Sequence, residues 1–83
     1  MRGEKELFEL MLKNQHLFEL GLCFWIVNLY WKGLINWEER IKIKNYLFKN
    51  EPENSDNYWF PRGELRPRIE WINQQIEKLS END

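Results

Sequence analysis

The longest stretch without a charged residue runs from Leu20 to Trp31, and it constrains the fold more than any other feature of the chain. It is about a dozen residues long, whereas a helix needs about 20 apolar residues to cross a membrane. The stretch is apolar on nearly every side at helical spacing, which is typical of the central helix of a bundle. We therefore expect a buried central helix in a soluble protein and no membrane-spanning segment.

Apolar residues recur at helical spacing in three further segments, so the sequence predicts an all-α fold, a small three- to four-helix bundle. We expect one helical domain that spans the 83 residues of the chain. The expected helices cover about 4–13, 17–32, 37–50 and 67–79. A long aromatic loop, at about 51–66, precedes the last helix.

Three residues predict how the second helix ends and the third begins. Gly33 is expected to end the second helix, because glycine adopts the left-handed conformation without a Cβ penalty. Asn36 and Glu39 have the spacing of a capping box, which favours a helix start at this point. The core face of the third helix is assigned to Ile41, Leu47 and Phe48, with Trp37 at its beginning.

The aromatic content is high for so short a chain. Aromatic residues make up 16% of it, while Cys23 and His16 are its single cysteine and histidine. A lone thiol cannot form an intramolecular disulfide, and the two residues have no partners at metal-ligand spacing. We expect Cys23 to be a buried, inert core residue, with no metal, no cofactor and no catalytic activity. The surplus of rings predicts a homo-oligomer, since one small core cannot hold them all.

The net charge of the chain and the distribution of its charged residues bear on nucleic-acid binding and on cellular location. A net charge of −2 argues against a dedicated DNA-binding protein, which usually carries a basic excess. Charged residues are interspersed through Met1–Lys13, unlike the apolar core of a signal peptide. We therefore expect a cytoplasmic protein without a strong nucleic-acid signal.

The candidate binding site lies between Tyr58 and Trp71, where three arginines and four aromatic rings fall close together. Rings stack on planar ligands, and the forked guanidinium group pairs with phosphate or carboxylate. The segment therefore predicts an anionic, planar ligand. The residues assigned to this site are Tyr58, Trp59, Arg62, Arg66, Arg68 and Trp71.

Other interpretations of these residues stay open. The rings suit core packing or a protein–protein hot spot equally well. The arginines are also explained as solvated charge, or as partners of Glu64, Glu70 and the acidic loop. For Trp31 and Trp71, a place in the core and a place in an interface are equally compatible with the sequence.

The chain resembles a family of small phage-encoded proteins over roughly its last three quarters. The resemblance rests on Gly21-Leu22-Cys23, Gly33-Leu34-Ile35 with Glu39, Tyr46-Leu47, Tyr58-Trp59-Phe60-Pro61 with Gly63, and Pro67-Arg68-Ile69 with Trp71. It implies a protein that acts in the host cytoplasm during infection. Such proteins often inhibit host defence, by binding a defence protein or by sequestering its nucleotide signal.

Three functional hypotheses follow. The first is a counter-defence protein that sequesters a nucleotide-type immune signal, with Tyr58, Trp59 and Trp71 stacking on bases and the arginines neutralising phosphate. The second is a protein-interaction inhibitor of a host defence complex, similar in action to an anti-CRISPR protein. The third is a structural helical adaptor.

Overall fold

The computed structural model describes residues 1–19, 21–50 and 65–81. Within these ranges the chain forms α-helices and no β-strand, which confirms the all-α bundle. The helices are α1 (Glu4–Lys13), α2 (Leu22–Trp31), α3 (Trp37–Asn50) and α4 (Leu65–Glu81), and a 3₁₀ turn (Gln15–Leu17) lies between α1 and α2. Among the helices of these ranges, none has the length and apolarity needed to cross a membrane.

All four helices contribute to one hydrophobic core. Helix α1 packs against α4 and α3, and α2 packs against α3. The buried apolar residues are Leu7, Phe8, Met11, Leu22, Trp25, Ile26, Leu29, Ile35, Ile43, Leu47 and Ile72. Helix α1 buries one face, because the spacing of Leu7, Phe8 and Met11 places them along a single side of the helix.

The turn between α2 and α3 is closed by backbone and side-chain hydrogen bonds, as predicted. Gly33 has φ of 76° and its N–H donates to the Tyr30 carbonyl, while the Leu34 N–H donates to the Leu29 carbonyl. This pair of bonds is a Schellman motif, which satisfies the last carbonyls of α2. Helices α2 and α3 therefore form an antiparallel hairpin.

The capping box at the start of α3 is also confirmed. The Asn36 side chain accepts from the Glu39 N–H at 2.8 Å, and the Glu39 carboxylate accepts from the Asn36 N–H at 2.9 Å. Glu39 is 3% exposed and receives two further contacts from Arg2, whose N–H donates to Oε2 and whose Nε lies 3.2 Å from it. The Arg2 guanidinium also donates to the Leu34 carbonyl, so this residue fastens the start of the chain to the α2–α3 turn.

Two predicted helix boundaries were wrong. The second helix begins at Leu22 and not at residue 17, because the chain forms a 3₁₀ turn and then an extended Gly21 before it. The last helix begins at Leu65, two residues before Pro67, and this is compatible with proline in a first turn. Of the predicted loop 51–66, residues 51–64 lie outside the described residues.

The expected burial of α2 and α3 was also partly wrong. Helix α2 buries one face, and Phe24 and Trp31 on its other side are exposed. In α3 the core face is formed by Ile43 and Leu47, whereas Trp37, Ile41 and Phe48, which were predicted to belong to it, are exposed. The reason is that α3 carries two apolar stripes at helical spacing, and only one of them meets α1 and α2.

Candidate functional site

Three of the six predicted site residues, Arg66, Arg68 and Trp71, lie in the first two turns of α4. The other three, Tyr58, Trp59 and Arg62, lie outside the described residues. The site predicted from the sequence therefore stays a prediction, and the structure describes only its helical half.

In that half, Trp71 and Arg66 make contacts within the protein that bear on the predicted site. The half-buried Trp71 ring meets the Phe8 ring edge-on at a centroid distance of 5.7 Å and the Tyr46 ring at 6.5 Å. Arg66 is exposed, and its Nε lies 3.3 Å from the Glu70 carboxylate one turn on. An exposed pair of this kind contributes at most about 1 kcal/mol, so a ligand could displace Glu70 easily. Arg68 is half-buried.

Aromatic rings outside the predicted site are exposed to solvent, and they say more about binding than the helical half of that site does. Phe24, Trp31, Trp37 and Phe48 are exposed, at 42%, 73%, 53% and 50% respectively. Single exposed apolar residues are common, but two large exposed rings on each of two helices favour binding surfaces there. The sequence left Trp31 open between core and interface, and the structure places it outside.

Trp31 borders an open groove of about 340 Å³ between α2 and the 3₁₀ turn. We call this the Trp31 groove. Its lining combines an exposed indole, a histidine, a lysine and a carboxylate, and is formed by His16, Leu17, Phe18, Glu19, Asn28, Trp31 and Lys32. Such a mixture suits a partner that offers an apolar side chain with polar groups around it.

The floor of the Trp31 groove is fixed by hydrogen bonds and ring packing. The Asn28 amide donates to the Leu17 carbonyl at 2.9 Å and to the Glu19 carboxylate at 3.3 Å. Beneath them the half-buried Phe18 ring meets the buried Trp25 ring edge-on at 5.4 Å. The 3₁₀ turn is therefore held against α2, and Trp31 projects from a rigid helix. The sequence signal that could have indicated this groove is Asn28, an asparagine in the middle of an apolar helix.

The opposite side of α2 forms a second, smaller cavity with α3. It measures about 180 Å³ and is lined by Cys23, Ile26, Val27, Arg40 and Lys44. Cys23 was expected to be a buried core residue; it packs against the core but is only half-buried. It lies on the side of α2 that faces α3.

Cations cover the exposed rings of α3. The Arg40 guanidinium lies 4.7 Å from the Trp37 ring centroid, and the Lys44 ammonium lies 5.5 Å from that of Phe48. The Tyr30 ring meets Trp37 edge-on at 5.6 Å, which links the two helices near their turn. Cation–π contacts at exposed sites contribute about 0.5–1 kcal/mol, so they orient these rings without burying them.

In the part of the chain that the structure describes, the pKa values of Glu39 and Tyr46 depart clearly from their ordinary range, and both groups support the fold. Burial raises the pKa of Glu39, but hydrogen bonds from the Asn36 and Arg2 N–H groups and the Arg2 charge outweigh burial and hold it below its ordinary value of 4.5. Burial, and then the Glu4 carboxylate, raise the pKa of Tyr46 above 10.0. Across residues 1–19, 21–50 and 65–81, no group of three His, Cys, Asp or Glu side chains could hold a metal ion.

Comparison with protein families, with curated proteins and with solved structures finds no match to this chain.

Proposed function

We propose that this chain is a binding protein without catalytic activity of its own, which acts by contacting another protein through the Trp31 groove. The observation that carries this proposal is the 73% exposure of Trp31 on a helix whose other tryptophan, Trp25, is completely buried. Tryptophan is the residue most enriched at the energetic centre of protein interfaces, where its large ring is desolvated by the partner.

The surroundings of Trp31 match what such a centre needs. The ring stands on a helix that is anchored at its start and end, so little conformational entropy is lost on binding. Polar side chains from His16, Glu19 and Lys32 border it and can form the hydrogen-bonding rim of an interface. The three residues carry groups of both charge signs, which favours a protein surface over a simple anion.

The resemblance to small phage-encoded proteins supplies the kind of partner in this proposal. The partner would be a protein of the host defence machinery, met in the host cytoplasm, and binding alone would inhibit it. This corresponds to the second hypothesis drawn from the sequence.

Nucleotide capture, the first hypothesis, stays a prediction. It depends on Tyr58, Trp59 and Arg62, and among its other residues the Trp71 ring packs against Phe8 and Tyr46. A thermal-shift screen against cyclic and linear nucleotides tests it directly. A nucleotide that raises the melting temperature of wild type and of Trp31→Ala alike, but not of Arg66→Ala, would favour that hypothesis over protein binding.

The test of the proposal compares three forms of the full chain as baits in host-cell extract: wild type, Trp31→Ala and Trp37→Ala. Trp37→Ala is the matched control, because it removes an equally large exposed indole outside the groove. Both variants should melt within a few degrees of wild type, since exposed substitutions usually change stability by less than about 0.5 kcal/mol.

We expect at least one protein to be retained by wild type and Trp37→Ala and reduced about tenfold or more by Trp31→Ala, as is typical of a hot-spot residue. Calorimetry with that purified partner should reproduce the difference. Equal retention by all three baits, or retention of no protein by wild type, would contradict the proposal.

A further inference from the structure

Helix α3 carries a second apolar stripe on its exposed side, interrupted by one lysine. It consists of Trp37, Ile41, Lys44 and Phe48, and we call it the α3 stripe. Successive members are four, three and four residues apart, which is the spacing of a coiled-coil seam. The core stripe of the same helix points elsewhere, because Ile43 and Leu47 are 1% exposed.

The α3 stripe offers enough apolar area for a weak interface. Trp37, Ile41 and Phe48 retain exposures of 53%, 38% and 50%. Since a large apolar side chain can bury on the order of 150–250 Å², these three offer about 300 Å² per copy. Two such stripes facing each other would give an apolar centre of about 600 Å², which is below the roughly 1,200 Å² of stable interfaces and fits a weak one. A dissociation constant in the micromolar range is expected.

Charges beside the stripe select one orientation for a second copy. Glu38 lies in the first turn of α3 and Lys49 in its last turn, and both border the same groove as Ile41. Eleven residues separate them, close to three full helical turns, so they lie on one flank of the stripe. An antiparallel copy would set each Glu38 near the other copy's Lys49, and it would also oppose the two helix dipoles. A parallel copy related by a two-fold axis would place the two Glu38 side chains on opposite flanks of the seam, so neither Glu38 would face a Lys49.

The groove on this flank gives a second copy room to pack. It measures about 460 Å³ and is lined by Met1, Glu4, Glu38, Ile41, Lys42, Asn45, Tyr46 and Lys49. The position of Lys44 in the seam fits the same arrangement, because a single charged seam residue fixes register at some loss of stability.

We propose that two copies of this chain associate through their α3 stripes, antiparallel and related by a two-fold axis. Each Trp37 then lies near the level of the other copy's Phe48, and each Glu38 pairs with the other copy's Lys49. The Trp31 groove lies on the far flank of α2, so the dimer leaves it open.

Sedimentation equilibrium over a range of protein concentrations tests this proposal. Wild type should pass from the monomer mass of 10.4 kDa to twice that mass as its concentration rises. Glu38→Lys and Lys49→Glu, studied separately, each turn two attractions into two repulsions. Because exposed ion pairs are individually weak, we expect each variant to raise the dissociation constant about tenfold.

The decisive sample is an equimolar mixture of Glu38→Lys and Lys49→Glu. In an antiparallel heterodimer, one contact sets the lysine introduced by the first substitution opposite the glutamate introduced by the second. The other contact keeps the original pairing of Glu38 with Lys49. Both attractions return, so the mixture should dimerise about as well as wild type. Glu77→Lys, a charge reversal on the exposed side of α4, is the control and should leave the dissociation constant unchanged.

A further variant separates dimer formation from folding and from partner binding. Ile41→Glu should abolish the dimer, raising the dissociation constant at least a hundredfold, while the monomer keeps its unfolding midpoint because this side chain is exposed. Trp31→Ala should leave the dimer intact, so failure of the proposed function and failure of this inference are distinguishable.

Several results would overturn the inference. A wild-type chain that stays monomeric would do so, as would a dimer that tolerates Ile41→Glu. A parallel dimer would be identified by charge reversals that each leave the dissociation constant nearly unchanged, because Glu38 and Lys49 then do not face each other. A monomer in which Ile41→Glu lowers the unfolding midpoint would show that the stripe is covered within its own chain.

Discussion

Glu39 is the buried charge on which the α2–α3 turn and the start of the chain both depend, and Glu39→Gln is the sharpest test of that role. One carboxylate oxygen accepts from the Asn36 N–H, and the other accepts from the Arg2 N–H and faces its Nε. An amide of the same shape keeps only one acceptor oxygen. Its NH₂ group would then face donors of Arg2, which leaves a buried N–H without an acceptor.

The expected loss is about 2–3 kcal/mol at neutral pH. One charge-assisted hydrogen bond contributes roughly 1.5–3 kcal/mol, and the unsatisfied donor adds to its loss. Arg2 is 41% exposed and can turn to water, which keeps the loss below that of breaking a fully buried ion pair. A chain of this size is stable by about 4–12 kcal/mol, so the change is easily measured.

The pH dependence has a definite sign. Because the pKa of Glu39 lies below 4.5 in the folded protein, its carboxylate stabilises the fold above that pH, and the stabilisation is lost as the pH falls through the folded value. The free energy of unfolding, measured with urea, should therefore differ more between wild type and Glu39→Gln at pH 7 than at about pH 3. Glu77→Gln, which removes an exposed carboxylate, is the control. A difference that is below about 0.5 kcal/mol at pH 7, or that is the same at both pH values, would refute the reasoning.

Four further substitutions have expected outcomes in the same unfolding assay. Gly33→Ala should lower the free energy of unfolding by about 1–2 kcal/mol, because φ is +76° at this position. Gly3→Ala is the control and should be nearly neutral, since the space around Gly3 is equally open and its φ is negative. Equal losses for the two variants would contradict this account. Tyr46→Phe should lower the free energy of unfolding by about 1–2 kcal/mol, because the Tyr46 hydroxyl donates to the buried Gln75 side chain at 2.8 Å. An unchanged free energy would mean that this hydrogen bond contributes nothing to stability. Cys23→Ala should cost about 1 kcal/mol and leave partner capture unchanged; lost capture with the fold intact would reveal a chemical role for the thiol.

Local signals predicted the turn between α2 and α3 correctly, and the reason is physical. Gly33 and the Asn36–Glu39 pair satisfy backbone groups within a few residues of themselves, so their function does not depend on the rest of the fold. The fourth helix was recognised for a similar reason, since Ile69, Ile72, Ile76 and Leu79 form one apolar stripe on an otherwise polar segment.

Burial of α3 could not be predicted in the same way. Ile43 and Leu47 form one helical stripe, and Ile41 and Phe48 belong to another that is equally apolar. Periodicity gives the spacing of a stripe but not which of two stripes faces the core. That choice depends on where α1 and α2 lie, and this is set by contacts between residues distant in sequence.

The tryptophans show what decides between core and surface in this chain. Trp25 is completely buried, and its indole N–H donates to the Asn14 carbonyl at 3.0 Å, so burial leaves no polar group unsatisfied. Trp31 stands almost two turns further on the same helix, on the side away from the core, where burial requires another molecule. Trp37 is exposed on the other helix of the hairpin, beneath the Arg40 charge. The two exposed indoles lie on different helices, and of the two only Trp31 lines the Trp31 groove, so a hairpin this short can offer one surface to a second copy and the other to a partner protein.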